Sequence, residues 1–88
     1  MRVTAIQSFK DGVLKTYGDG ELLEDKVPNA EPFKTIEVTN PCIKLDDGGY
    51  VWGFQCWWGA VEKVAKKFES RATEVIKVKP DVVIEPVK

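Results

Sequence analysis

The chain of 88 residues contains no histidine. That absence removes Ser-His-Asp and Cys-His nucleophile machinery and the usual zinc sites that use an imidazole ligand. Cysteine is scarce as well. Cys42 and Cys56 are too few to staple a secreted mini-protein. With no other soft ligand near them in sequence they make no metal site, so they are expected as reduced, buried thiols behaving like small hydrophobes. No apolar run approaches the roughly 18 residues that span a bilayer. Met1 and Arg2 lead straight into a strand pattern, so no signal peptide is expected, and the expected location is cytoplasmic.

An excess of charge of either sign is also missing. Thirteen basic side chains face fourteen acidic ones, for a net charge of −1. Nothing in that balance calls for generic binding to nucleic acid or to a membrane. Residues 59–88 are slightly basic and residues 1–58 slightly acidic, an asymmetry that one solvated helix face explains. The carboxylate pairs Glu24-Asp25 and Asp46-Asp47 sit in turn-rich stretches, where solvation is the simpler reading than acid-base work. No catalytic residue and no cofactor is expected, so the chain is not read as an enzyme.

At this length the core is small, with a net stability on the order of 3–6 kcal/mol. Residues 1–79 are read as one α+β domain and 80–88 as a C-terminal tail or an edge strand. Residues 2–9 and 13–17 form a hairpin about Asp11-Gly12, because Asp-Gly tolerates positive φ. Residues 21–33, with acids, Pro28 and Pro32, read as a surface loop that Leu22, Leu23 and Val27 pin to the core. Lys34 to Thr39 alternates as a half-buried strand, with Ile36 and Val38 on one side. Ile43 and Leu45 lie on the next strand, and Asp46 to Gly49 turns the chain. Tyr50 to Trp58 returns as one central strand with large apolar groups on both faces.

From Ala60 the apolar period lengthens from two to 3.6. Val61, Val64, Ala65 and Phe68 form a stripe, opposite Glu62, Lys63, Lys66 and Lys67. This is an amphipathic helix of about ten residues that needs a sheet to dock on. Thr73 to Lys79 is again a strand, with Ile76 and Val78 inward. The sum is a curved antiparallel β-sheet of five to six strands with one short amphipathic helix. An SH3-like half-barrel is one arrangement, and a plain sheet with a helix on one face is another.

The aromatic cluster is the unusual feature. Tyr50, Trp52, Phe54, Trp57 and Trp58 fall within nine residues. Core packing accounts for most of it, since each aromatic buries roughly 150–250 Å². Alternation forces Trp57 and Trp58 to opposite faces, which leaves at least one tryptophan partly exposed as an anchor. Trp52 or Trp58 is the expected anchor, with Tyr50 beside it and the acidic 19–31 stretch helping. Lys63, Lys67 and Arg71 are the cations expected to meet an anionic partner. Gly18-Asp19-Gly20 and Gly48-Gly49 read as turns, not as phosphate cradles.

One stretch resembles a known group. Asn40-Pro41-Cys42-Ile43-Lys44-Leu45-Asp46-Asp47-Gly48, continuing through Val51-Trp52-Gly53 to Cys56-Trp57-Trp58-Gly59, resembles small proteins encoded by tailed bacteriophages. Upstream, Gly18-Asp19-Gly20 and Val27-Pro28 are similar too, and the likeness covers roughly residues 17–69. Phe54 stands where that pattern has a second cysteine and Gln55 where it has an acid, so no metal or thiol-pair role carries over. The resemblance implies a phage setting in the host cytoplasm and no activity. Within it, the leading expectation is a non-catalytic accessory protein that binds and modulates or inhibits a host protein or defence component. A module for a small anion, nucleotide or nucleic acid, using an aromatic and the basic helix face, is the second. A structural virion component is the third, and it makes a homo-oligomer the partner.

Overall fold

A computed structural model describes residues 1–87. The hairpin forms where Asp-Gly places it. Strand β1 (Arg2–Lys10) turns through Asp11 and Gly12, at φ 53° and 79°, into β2 (Val13–Lys26). Positive φ at both central residues matches the right-handed twist of the flanking strands.

β2 is the spine of the sheet, pairing with β1 along most of its length on one side and with two different strands on the other. Its first part, Val13–Thr16, runs parallel to β6 (Glu74–Lys77); its last part, from Gly20, pairs antiparallel with β3 (Asn40–Leu45). Between them the β1–β2 ladder shifts register at Ala5–Ser8. Thr16 holds this bend: its hydroxyl donates to the Ala5 carbonyl at 2.8 Å and accepts the Gly18 N–H at 2.9 Å. Gly20 lets β2 and β3 close up, because a Cβ there would stand 2.4 Å from the Lys44 carbonyl oxygen.

Beyond β3 lies β4 (Tyr50–Trp52), reached through the Gly48-Gly49 turn, and on the far side of β1 lies β5 (Trp57–Ala60). The order β4-β3-β2-β1-β5, with β6 on β2, makes an open, mostly antiparallel six-stranded sheet. After β5 comes α2 (Val61–Val64), continued by a π-helical turn over Ala65–Glu69. This is the amphipathic helix expected from the 3.6 period. Val64 is buried with Ile6 and Leu14, and Phe68 packs on Phe9 at 5.6 Å between ring centroids. Val3, Ala5, Tyr17, Ile43, Leu45, Val51 and Cys56 form a second cluster. Alternation along β1 puts it on the opposite face.

Three stretches differ from the sequence reading. Lys34–Thr39 is not a strand. Its first part belongs to the one-turn helix α1 (Phe33–Ile36), and Ile36 is 62% exposed. A six-residue alternation needs a neighbouring strand to become one; here Lys34 and Ile36 instead donate to the Ala30 and Pro32 carbonyls, and Phe33 stacks on Phe54 at 4.8 Å. The stretch 21–33 is a loop only in its second half, since Leu22 and Leu23 pair with Ile43 and Cys42 in the sheet. Tyr50–Trp58 is two strands, not one. The Gln55 N–H donates to the Trp52 carbonyl at 2.8 Å, and the Gln55 side-chain oxygen accepts from the Trp52 N–H at 3.0 Å. That local closure, with Pro41 3.0 Å from where a Cβ on residue 53 would stand, turns the chain out of the β3–β4 ladder and across to β1.

The C-terminal segment is laid along this end of the molecule. The Asn29 N–H donates to the Glu85 carbonyl and the Val87 N–H to the Val27 carbonyl, both at 2.8 Å, and Pro86 bridges Pro28. Lys88 lies outside the described residues. No helix among them is long and apolar enough to cross a membrane.

Candidate functional site

The break at Gly53–Gln55 sends the tryptophans to opposite ends of the sheet. Trp52 stays on β4 and is fully buried, its indole N–H donating to the Ile84 carbonyl at 2.7 Å. It offers no surface for a partner, which corrects its expected role as an anchor. Trp58, paired with Ala5, is half-buried against the Val3–Ala5 cluster. Its ring belongs mainly to the core. The split of Trp57 and Trp58 follows the alternation, and the exposed member is Trp57, at 67%.

Trp57 pairs with Ile6 across β1–β5 and so shares its face, the one that carries the helix. Gly59, two residues on, shares it too: a Cβ there would meet Val64 at 3.3 Å. A groove of about 580 Å³ opens between β5 and the helix. Ile6, Val64 and Phe68 form its apolar base, Trp57 one wall, and Lys63 and Lys67 the rim. Four residues apart, the lysines stand one above the other on the helix. The Lys67 ammonium lies 5.6 Å from the centre of the Phe68 ring.

The structure thus brings together Trp58, Lys63 and Lys67 of the expected binding residues, and adds Trp57. It does not bring Tyr50 or Arg71 to them. Tyr50 is on β4, across from Lys44 and at the other end of the strand order. Arg71 follows the helix, exposed, and lines neither groove. The acidic 19–31 stretch is likewise elsewhere, paired with β3 in its first part. Trp57 was missed because alternation assigns it a face without saying how deeply that face is covered.

A second groove of about 580 Å³ runs between the Gly48-Gly49 turn and the C-terminal segment, lined by Tyr17, Leu45, Val78 and Val83 among others. Lys77 and Lys79 line it together with two carboxylates, Asp47 and Glu85, and Lys77 is paired with Asp47. The groove is therefore less suited to an anion than the Trp57 groove.

Burial pushes both thiols up, to about 11, so neither is a nucleophile near neutrality. Among the described residues no three Cys, Asp or Glu side chains gather to hold a metal ion. The arrangement offers apolar contact, a flat π-face and two positive charges, which are the means of recognition. Comparisons with protein families, with curated proteins and with solved structures find no match for the chain.

Proposed function

We propose that this chain is a non-catalytic binding module that takes a segment of another protein into the β5–helix groove. In the phage setting that the sequence resembles, the partner is a host protein or defence component whose action is modulated or blocked. The observation that carries the reading is Trp57, two-thirds exposed on the wall of an apolar groove rimmed by Lys63 and Lys67. Tryptophan is enriched among residues that dominate binding energy, and lysines at a rim select an acidic neighbour. The segment that fits carries an apolar side chain for the base and a carboxylate for the rim.

The same Trp57–Lys63–Lys67 set supports a second reading. A nucleotide base could stack on the indole while its phosphates meet the ammonium groups. The apolar base and the net charge of −1 favour the protein partner.

Capture from host lysate by wild type, Trp57→Ala and Lys63→Glu/Lys67→Glu separates these. A partner retained by wild type and lost by both variants supports the protein reading. A partner held equally by all three overturns it. Binding of adenosine triphosphate to the pure protein, falling steeply with salt, favours the second reading.

A further inference from the structure

The geometry points to β5 as a dimerisation edge, through which two copies of this chain join their sheets. β5 has β1 on one side, and no strand among the described residues covers the other. Exposed edges are normally blunted by lysine, proline, a bulge or a covering segment. Trp57-Trp58-Gly59-Ala60 contains none of these residues. The C-terminal segment lies elsewhere, hydrogen-bonded to Val27 and Asn29 beyond the end of β2 and to the Trp52 indole.

A second copy fits this edge for a reason of register. When two identical edges pair antiparallel about a two-fold axis normal to the sheet, side chains directly opposite share a face. The axis must then pass beside one residue and its own counterpart. Centred on Trp58, the register sets Trp57 opposite Gly59 of the second copy. Both project on the helix face, so each exposed indole reaches the other copy's groove beside Gly59, where Val64 already packs close and Lys63 and Lys67 also line the opening. The bulky side chain of one edge meets the residue with no side chain on the other. Each indole also meets two ammonium groups, a favourable cation–π pairing. These lysines thereby become complementary to a second copy, although they carry like charge. With a four-residue edge and two indoles, the contact is at the small end of specific interfaces, so the dimer is weak and reversible.

The second copy takes the groove that the proposed host segment would also use, so the two occupants compete, and the test is made on pure protein so that its failure is distinct from failure of the host-partner reading. Sedimentation equilibrium of the full chain, from micromolar to millimolar, is expected to show monomer–dimer exchange. Trp57→Lys, at a mostly exposed site, is expected to weaken association at least tenfold without changing the far-ultraviolet spectrum. In wild type, hydrogen exchange of the β5 amides is expected to slow with rising concentration, while the edge of β4 is unchanged. Monomer mass across the whole range would overturn the inference. So would a dimer that Trp57→Lys leaves intact, or exchange at β5 that ignores concentration. Should Trp57→Lys misfold, the wild-type exchange data decide alone.

Discussion

The Trp52 indole nitrogen stands 2.7 Å from the Ile84 carbonyl oxygen, thirty-two residues away in sequence. One hydrogen bond thus fastens the C-terminal segment over the largest fully buried side chain. It also satisfies the indole N–H, which would otherwise be costly in an apolar site. Trp52→Phe keeps most of the apolar volume and loses the donor. The expected loss is about 1–2 kcal/mol in chemical denaturation. Deleting residues 80–88 is expected to shift tryptophan emission to longer wavelength as Trp52 meets water. An unshifted spectrum would show that the segment does not shield it.

Cys42 and Cys56 are both buried, and desolvation raises each thiol to about 11. The neutral form is favoured in the folded state. Stability from this source is complete below the ordinary thiol value of about 9 and declines as pH rises toward 11. Native protein at pH 8 should therefore react slowly with a disulfide reagent, and both thiols should react at once in denaturant. Rapid labelling of either under native conditions would contradict their burial.

At the other surface, the Arg2 guanidinium forks onto the Asp46 carboxylate, with one N–H···O distance of 2.8 Å. That hydrogen bond is the largest cause holding Asp46 below the ordinary carboxylate range. A depressed value means the stabilising contribution is present above the unfolded value and is lost as pH falls through the folded one. The pair is solvent-exposed, so its weight in stability is small. Carbon-detected titration should find Asp46 lower in wild type than in Arg2→Gln, where only Lys77 still favours the carboxylate. Equal values in both proteins would remove the pairing.

Gly20 tests the spine. A methyl group there would meet the Lys44 carbonyl at 2.4 Å and the Leu45 Cα at 3.0 Å, both backbone atoms that yield poorly. Gly20→Ala should cost about 1–3 kcal/mol, the usual range for overpacking. Gly48→Ala, with open space around it, isolates the separate cost of positive φ (here 100°). A Gly20→Ala protein as stable as wild type would mean that β2 and β3 are not so closely paired.

The Asp11-Gly12 hairpin and the amphipathic stripe of Val61, Val64 and Phe68 could be read from the sequence, because both are local. One depends on backbone φ at two residues, the other on a period within three turns. The largely antiparallel sheet of six strands with a short amphipathic helix on it also agrees with the expectation. Long-range competition decided the rest. The alternation of Ile36 and Val38 met no free neighbour and became a helical turn with exposed side chains. The acidic stretch after Gly20 found β3 and extended β2.

Lys63 and Lys67 were identifiable as binding candidates from the helix pattern, whereas the exposed tryptophan was not. Its assignment turned on Gln55 closing onto Trp52, Pro41 crowding Gly53, and Ile84 capping an indole from the far end of the chain. Composition and periodicity determined by themselves a small β-rich domain with a basic helix face and more aromatics than its core needs. Only tertiary structure decided that Trp52 is covered and Trp57 is bare, because depth of burial depends on which distant segment packs above a face, and no local period records that.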